Sequence, residues 1–169
     1  MDVIEAILTR RSIRKYTNQP VPAQVMEDLL LAAMNAPSAG NGQPWHFIVV
    51  KDKKVMQAMM AVHPHAAMLE EASVAIVVCA DEKLEKYKGF WPQDCSAATI
   101  NVLLTAHAHG LGAVWVGVYP DEERVRGVRA ALRAPEHIHP FSIIPMGFPA
   151  EQKPAKELFS SDRIHHDVW

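Results

Sequence analysis

The segment 91–120 carries no charged side chain after Asp94. Its first half has the boundaries of a helix, because Pro92 suits a first turn and Gly110 suits the left-handed position that follows a helix. A helix without a charged face belongs in a protein core. The second half, 113–118, is an apolar run typical of a buried strand. The pattern therefore predicts a buried helix that leads directly into a buried strand.

Hydrophobic periodicity predicts seven further elements along the chain. Amphipathic spacing predicts helices over 3–8, 25–33, 52–60 and 121–133. Apolar runs predict strands over 45–50, 73–80 and 141–146, the last of them interrupted by Pro145. Four strands separated by helices favour an α/β or α+β layered domain, and strand intervals of roughly 25–35 residues favour crossover connections over hairpins.

Residues 147–169 form a polar, proline-containing tail without periodicity. The tail is too long for simple fraying, and its terminal Trp169 predicts that it packs against another surface. With 169 residues and no repeat, linker or low-complexity tract, the chain is expected to be a single domain over 1–169.

Composition excludes several classes of function. The formal net charge of −2 offers no electrostatic footprint for nucleic acid. Polar residues and two glycines interrupt the segment 91–120, which leaves too few consecutive apolar residues for a membrane-spanning helix. Asp2 and Glu5 do not fit a signal peptide, and two cysteines without metal or redox spacing fit a reducing compartment. We therefore expect a soluble cytoplasmic protein that binds neither nucleic acid nor membrane.

Histidine pairs recur at positions 63 and 65, 107 and 109, 137 and 139, and 165 and 166. Residues two apart do not share a helix face, and no cysteine or His-Glu-x-x-His pattern accompanies these pairs. No metal site is therefore predicted. The chain also lacks a G-x-S-x-G elbow, a Walker-type phosphate loop and a Rossmann glycine fingerprint, which excludes the usual hydrolase, NTPase and nicotinamide-domain interpretations.

The basic run from Arg10 to Lys15 allows two interpretations. An isolated basic run of this kind is usually a solvated surface cluster. Alternatively, an extended segment would place Arg10, Ser12 and Arg14 on one side, where forked guanidinium donors and a hydroxyl would form a phosphate cradle. Composition alone does not decide between these two interpretations.

Several motifs, in order along the chain, resemble those of the FMN-dependent nitroreductase family. They are Arg10-Arg11-Ser12-Ile13-Arg14, Pro37-Ser38 through Asn41 to Gln43-Pro44-Trp45, Gln93-Asp94-Cys95-Ser96-Ala97-Ala98 to Asn101, Gly110-Leu111-Gly112 to Trp115-Val116-Gly117, Gly147-Phe148-Pro149, and the ending Arg163-Ile164-His165 to Trp169. No single motif is specific, but their combination and order span essentially the whole chain. The resemblance favours the phosphate interpretation of the basic run.

The resemblance implies a nitroreductase-like α+β layered domain, with a central, mainly antiparallel sheet flanked by helices. It also implies a homodimer with two FMN molecules at the subunit interface, where both chains contribute to each site. The uncharged helix near Asn101 would form part of the dimer core. The C-terminal tail would be exchanged or packed across the dimer.

Family roles carry over to the matching positions of this chain. The residues implied to hold the phosphate and ribityl end of FMN are Arg10, Arg11, Ser12 and, from the tail, Lys156. Those implied to line the flavin from the partner subunit are Pro37, Ser38, Ala39 and Asn41. Arg14 would reach the N1–O2 edge of the ring, and the backbone near Val116 and Gly117 would face N5. Glu157 and Leu158 stand where the family often has a second basic residue, and His65 and Met68 lie where it often supplies a polar ring contact.

The resemblance implies an oxidoreductase in which NADH or NADPH reduces FMN and a nitroaromatic, quinone or related acceptor then takes the electrons, in a ping-pong mechanism. No side chain is required as an acid or base, so none is predicted to be catalytic. Two alternatives stay open: a non-catalytic flavin-binding or regulatory protein, and another flavin reaction such as reductive dehalogenation or flavin breakdown. The short segment between Asp81 and Pro92 leaves little room for the lid that those other reactions usually need.

Overall fold

The computed structural model describes residues 1–169, which form five helices and five strands. The helices are α1 (Val3–Thr9), α2 (Ala23–Met34), α3 (Lys53–Val62), α4 (Trp91–Ala108) and α5 (Glu122–Leu132). The strands are β1 (Trp45–Val50), β2 (Val74–Asp81), β3 (Gly112–Ala113), β4 (Val116–Gly117) and β5 (Ile138–Gly147). All five predicted helices are present, each within a few residues of its predicted bounds.

The strands form one antiparallel sheet in the order β1-β2-β5-β3, with β4 also paired to β5. The predicted antiparallel sheet flanked by helices is therefore confirmed. The connections from β1 to β2, from β2 to β3 and from β4 to β5 contain α3, α4 and α5, as the strand spacing predicted. The first and last of these connections join antiparallel strands, whereas the connection through α4 joins β2 to β3, which run parallel on either side of β5.

The single strand predicted over 113–118 is wrong, because the structure divides this segment into β3 and β4. The pairing register with β5 is the same on both sides of the gap, from Ala113 opposite Met146 to Val116 opposite Ile143. Val114 donates to the Pro145 carbonyl at 3.4 Å, but proline has no N–H to complete the reciprocal bond. The ladder is therefore interrupted opposite Pro145, while β5 itself continues through this residue.

The sheet separates two hydrophobic cores. Side chains of β2 alternate between them, so that Val74, Ile76 and Val78 face α2 and α4. Ala75 and Val77 face α3 and α5. Because both faces of β2 are covered, its eight residues are all buried, which explains why its first seven residues are all apolar.

Helix α4 begins at the predicted first turn, with proline there, and Gly110 follows its end with a φ of +74°. Eight of its 18 residues are buried within one chain. The Asn101 side-chain amide donates to the Ala32 carbonyl at 2.9 Å and links α4 to α2. Ile100 stays 41% exposed, so part of the uncharged surface of this helix is not covered within one chain. No helix of the structure combines the length and apolarity that crossing a membrane requires.

Two other apolar surfaces also lack cover within one chain. Helix α1 buries Ala6 but leaves a run of apolar side chains more than half exposed: Val3, Ile4, Ile7 and Leu8. The tail exposes Leu158 and Phe159, and its last residue, Trp169, is 99% exposed and stacks on His165 with ring centroids 4.2 Å apart. The first part of the tail packs on the basic run, where Lys153 donates to the Ser12 carbonyl, whereas Leu158, Phe159 and Trp169 lie uncovered within the same chain.

Candidate functional site

The basic run follows α1 as an extended segment anchored to the edge of the sheet. The Ile13 N–H donates to the Ala113 carbonyl at 3.0 Å, and Ser12 lies beside the same residue of β3. The buried Tyr16 hydroxyl lies 2.7 Å from the Ile13 carbonyl, and burial raises its pKa. A Cβ at Gly112 would stand 2.6 Å from the Ile13 side chain, so glycine permits this close approach. These contacts hold the run in one orientation.

The run opens onto a cavity of about 430 Å³, which we call the cationic cavity. Its lining residues are Arg10, Arg11, Ser12, Arg14, Lys153, Pro154, Lys156 and Leu158. Lys153 pairs with Glu151 at 3.2 Å, and it is the one cation of this lining with a carboxylate partner. Burial, and then the neighbouring Arg11, lower the pKa of Arg10. Several positive charges without counter-ions create a strong local preference for an anion.

Arg11 has a different environment from the other cations. Its Nε donates to the Pro154 carbonyl at 3.0 Å, and its Nη1 donates to the Leu8 carbonyl at 3.0 Å. Its Nη2 is buried and has no hydrogen-bond partner. A buried charged donor without an acceptor is costly, by more than the roughly 1–3 kcal/mol of a neutral group. This orphaned donor is a second indication that an anionic ligand belongs here.

A neighbouring cavity of about 510 Å³ lies along the outer edge of β4, and we call it the strand-edge cavity. Its lining residues are Arg14, His63, His65, Ala67, Met68, Val114, Trp115, Val116, Gly117 and Arg124. Arg14 lines both cavities, and its guanidinium forms no ion pair or hydrogen bond with the protein. The two cavities therefore adjoin at Arg14, with a basic pocket on one side and the backbone of an edge strand on the other. Apolar walls with a few converging polar groups are typical of a ligand site.

A slightly larger cavity, of about 540 Å³, lies elsewhere, between β1, α3 and α5. It has mostly apolar walls, and Asp52 offsets part of the charge of its three basic residues. No buried unpartnered donor points into it. We therefore place the candidate functional site at the cationic and strand-edge cavities, because here a cavity is lined by cations that have no carboxylate partner.

The structure places the predicted site residues in three groups. Five of them line the cationic cavity: Arg10, Arg11, Ser12, Arg14 and Lys156. Val116 and Gly117 line the strand-edge cavity together with Arg14. The remaining four, Pro37, Ser38, Ala39 and Asn41, line neither cavity.

The loop that carries those four residues is held on the far side of the sheet. The Ala39 N–H donates to Oδ1 of Asp94, in the first turn of α4, at 2.9 Å. Gly40 packs so closely against Tyr87 that a Cβ would stand 2.5 Å from the ring, and Lys86 Nζ donates to its carbonyl at 2.7 Å. One chain therefore does not bring this loop to its own cavities.

Sequence reasoning missed three residues of the site. Lys153 lines the cationic cavity and donates to the Ser12 carbonyl at 2.6 Å. Glu151 accepts from the Arg14 N–H at 2.6 Å, which fixes the backbone of the basic run. His63 lies in the wall of the strand-edge cavity and contacts Gly117. A basic residue after the Gly-Phe-Pro motif was a usable signal for Lys153, whereas no pattern in the sequence identifies His63.

The paired histidines have separate partners. The Nε2 atom of His107 lies 2.8 Å from Thr9 Oγ1, and that of His109 lies 3.3 Å from Asp28. No group of three or more His, Cys, Asp or Glu side chains is placed to hold a metal ion. The cysteines are free and buried, and burial raises the pKa of the Cys79 thiol to about 12, so it is a poor nucleophile.

His107 lies close enough to the basic run to sense its charge. Burial, and then Arg10, lower the pKa of His107. Because its pKa is lower in the folded chain than the value of about 6.5 expected when unfolded, the unfolded state binds its proton more readily. Its contribution to stability is therefore present above pH ~6.5 and is lost as the pH falls through the folded pKa.

We expect Arg10→Ala to raise the pKa of His107, measured by NMR titration of its ring proton. We also expect His107→Gln to reduce the fall in melting temperature between neutral and mildly acidic pH, relative to the wild type. The His137→Gln variant is the matched control, because His137 lies near Asp81 rather than near the basic run. An unchanged His107 pKa in Arg10→Ala would contradict this account of the local electrostatics.

The fold and the two cavities define a layered α+β domain with a cavity of basic residues at its sheet edge. The model described as "Nitroreductase family" matches residues 7–91 and 61–148 of the chain. A protein of Methanothermobacter thermautotrophicus, provisionally named NADH dehydrogenase/NAD(P)H nitroreductase, is 54% identical over 169 residues, which cover 100% of this chain and 88% of that protein. The chain belongs to the nitroreductase family, as its motifs predicted.

Solved structures agree with this assignment. A protein of Parabacteroides distasonis with the same provisional name is 43% identical with a TM-score of 0.95, and the match covers 99% of this chain and 98% of that chain. A protein of Desulfovibrio desulfuricans, provisionally named a nitroreductase and solved in complex with FMN, is 29% identical with a TM-score of 0.87. That match covers 100% of this chain and 98% of that chain.

Proposed function

We propose that this chain is an FMN-dependent oxidoreductase that uses NADH or NADPH to reduce nitroaromatics, quinones or related acceptors. The observation that carries the proposal is that Arg14 lines both cavities, so that a basic pocket lies next to the edge of β4. FMN has a phosphate at one end and a flat ring at the other, which matches this division. The structure solved with FMN and the nicotinamide-dependent name of the relative support the same assignment.

The residues of the cationic cavity are assigned to the phosphate and ribityl end. Arg10 and Lys156 supply charge, Ser12 supplies a hydroxyl, and the unpartnered Nη2 of Arg11 supplies a buried donor. Arg14 is assigned to the N1–O2 edge of the ring because it lines both cavities. The backbone of Val116 and Gly117 is assigned to the N5 side of the ring.

FMN supplies the hydride chemistry, and the protein supplies binding, orientation and electrostatics. Arg14 holds a positive charge where negative charge accumulates on reduction, which favours the reduced state. The strand-edge backbone would orient the ring. No side chain has to transfer a proton in this scheme, so none is assigned a catalytic role.

We propose that residues 1–169 act as one domain and that two copies assemble into a homodimer. The loop with Pro37, Ser38, Ala39 and Asn41 lines no cavity of its own chain, so its assigned contact with flavin has to come from the partner. The exposed apolar side of α1 and the extended tail offer surfaces for this assembly. We also propose a cytoplasmic location, in keeping with two free thiols.

The experiment that tests the function starts from the purified protein. It should be yellow and should release FMN, but no FAD, on denaturation. Anaerobic stopped-flow mixing with NADH and with NADPH should bleach the flavin, and a panel of acceptors should then restore its colour. Colourless protein that takes up no added FMN would overturn the proposal. Yellow protein that neither nucleotide reduces would favour the non-catalytic alternative.

Arg14→Ala is expected to lower the reduction potential of bound FMN by roughly 30–60 mV, which corresponds to about 1.4–2.8 kcal/mol for a two-electron couple. The reason is the loss of the positive charge beside the ring edge. Arg14→Lys should preserve part of the effect, because the ring edge requires charge rather than a guanidinium fork. Equilibration with reference dyes measures the potential. Equal reduction potentials in wild type and Arg14→Ala would show that Arg14 does not lie at the ring edge.

A further inference from the structure

Strand β4 is the short outer edge of the sheet beside the strand-edge cavity. On its inner side the Val118 N–H donates to the Phe141 carbonyl of β5 at 3.0 Å. Residues of an antiparallel edge strand alternate in the side to which their N–H and C=O groups point. Val116 and Val118 therefore face β5, and the peptide groups of Gly117 face the cavity.

The carbonyl of Gly117 is held from the cavity side by a buried histidine. His63 ends helix α3 and is only 2% exposed, and its Nε2 lies 2.8 Å from the Gly117 oxygen. The His65 N–H donates to His63 Nδ1 at 3.2 Å, so Nδ1 acts as the acceptor. In neutral imidazole the other nitrogen then carries the proton. The hydrogen-bond network thus assigns the tautomer in which Nε2–H donates to Gly117.

Gly117 is a position that needs such support. It has no side chain, and nothing lies within 4 Å of the place that a Cβ would occupy. Glycine has more backbone freedom than any other residue, and an edge strand of two residues restrains it little. The contact with His63 is a restraint from outside the sheet, because it links the end of α3 to the outer side of β4.

We infer that His63 is a positioning residue that fixes the Gly117 peptide and thereby sets how tightly the strand-edge cavity holds the flavin ring. The inference rests on the proposed function, which assigns the backbone of Val116 and Gly117 to the ring. His63 acts through Gly117 and takes no part in the chemistry. Its hydrogen bond keeps the cavity-facing N–H of the same glycine in a constant direction.

The test compares His63→Leu, which removes the donor, with His63→Gln, whose terminal amide restores one. Met56→Ala is the matched control, because Met56 is a buried residue of the same helix about two turns before His63 and lines neither cavity. Apoprotein of each variant is titrated with FMN by fluorescence quenching. Amide hydrogen exchange of residues 116–119 is measured on the same proteins without flavin. Circular dichroism verifies that each variant is folded.

His63→Leu is expected to weaken FMN binding about three- to tenfold, from the loss of one hydrogen bond, and to accelerate exchange at Val118, whose N–H is bonded to the Phe141 carbonyl. His63→Gln should recover a large part of both losses. Met56→Ala should lower the melting temperature while leaving the affinity within about twofold, because Met56 lies in the core and lines neither cavity.

Three results would overturn the inference, and they are distinguishable. Unchanged exchange in His63→Leu would show that the contact does not restrain Gly117. Faster exchange with unchanged FMN affinity would show that the restraint does not position the flavin. Wild-type protein that binds no FMN would overturn the proposed function and this role with it, while the exchange data would still report on the contact with Gly117.

Discussion

Arg10→Ala is expected to weaken FMN binding by about ten- to a hundredfold, the equivalent of a charge-assisted hydrogen bond of roughly 1.5–3 kcal/mol. Arg10 lies in the cationic cavity without a carboxylate partner, and partial burial limits its screening by water. A partly buried guanidinium gains more binding free energy from a phosphate than a fully solvated guanidinium does. If Arg10 belonged only to a solvated surface, its replacement would change stability by less than about 0.5 kcal/mol and would leave the flavin content unchanged.

Two controls isolate the phosphate contact of Arg10. Lys15→Ala removes the same charge from the same basic run, but Lys15 is exposed and lines neither cavity, so FMN affinity should change by less than about twofold. Riboflavin lacks the phosphate, so wild type and Arg10→Ala should bind it equally. Titration by fluorescence quenching gives all of these affinities. An equal loss of FMN and riboflavin binding in Arg10→Ala would place Arg10 away from the phosphate.

Ile7→Glu is expected to raise the dimer dissociation constant by a hundredfold or more and to release FMN with it. Ile7 belongs to the apolar side of α1 and is 53% exposed within one chain. An unpaired carboxylate buried in an interface costs several kcal/mol, and each 1.4 kcal/mol changes the constant tenfold. Flavin should be lost together with the dimer because the loop with Pro37 and Asn41 is proposed to complete the site of the partner.

Sedimentation velocity over a range of protein concentrations, with absorbance recorded at flavin wavelengths, measures both effects in one experiment. Gln57→Glu is the matched control: it introduces the same charge on an exposed position of α3 and should leave the dimer and its flavin unchanged. A stable wild-type monomer at micromolar concentration would contradict the dimer. A monomeric Ile7→Glu variant that retains FMN at full affinity would contradict a site shared between subunits.

The composition of α4 was sufficient to predict its place in the fold. The helix has proline in its first turn, glycine after its last turn and no charged residue after Asp94. Each of these features acts on neighbouring residues, so the sequence alone indicates where the helix begins and ends. The basic run was equally visible. Its function could not be read from its own residues, since solvated runs and phosphate cradles have the same composition. The family resemblance favoured the cradle, and the unpaired cations that line one cavity support it.

The direction of the strands and their pairing register could be determined only from the folded structure. The spacing of the strands predicted helix-containing connections but carried no information on direction, because a helix can join antiparallel strands as well as parallel ones. The interruption between β3 and β4 was also invisible in 113–118 itself. It arises opposite Pro145, some thirty residues away in sequence. Proline has no N–H, so it cannot donate a hydrogen bond to the neighbouring strand.

The sequence by itself determined the helices, the three long strands β1, β2 and β5, and the basic run that is proposed to bind a phosphate. Periodicity and helix capping depend on residues that are only a few positions apart, so both can be recognised in the linear sequence. Only the tertiary structure decided which of those residues meet. It brought Arg14, Gly117 and His63 to one cavity and kept the loop at Pro37 away from it, because these contacts join positions about fifty to a hundred residues apart. Such contacts depend on how the sheet packs, and no local pattern encodes them.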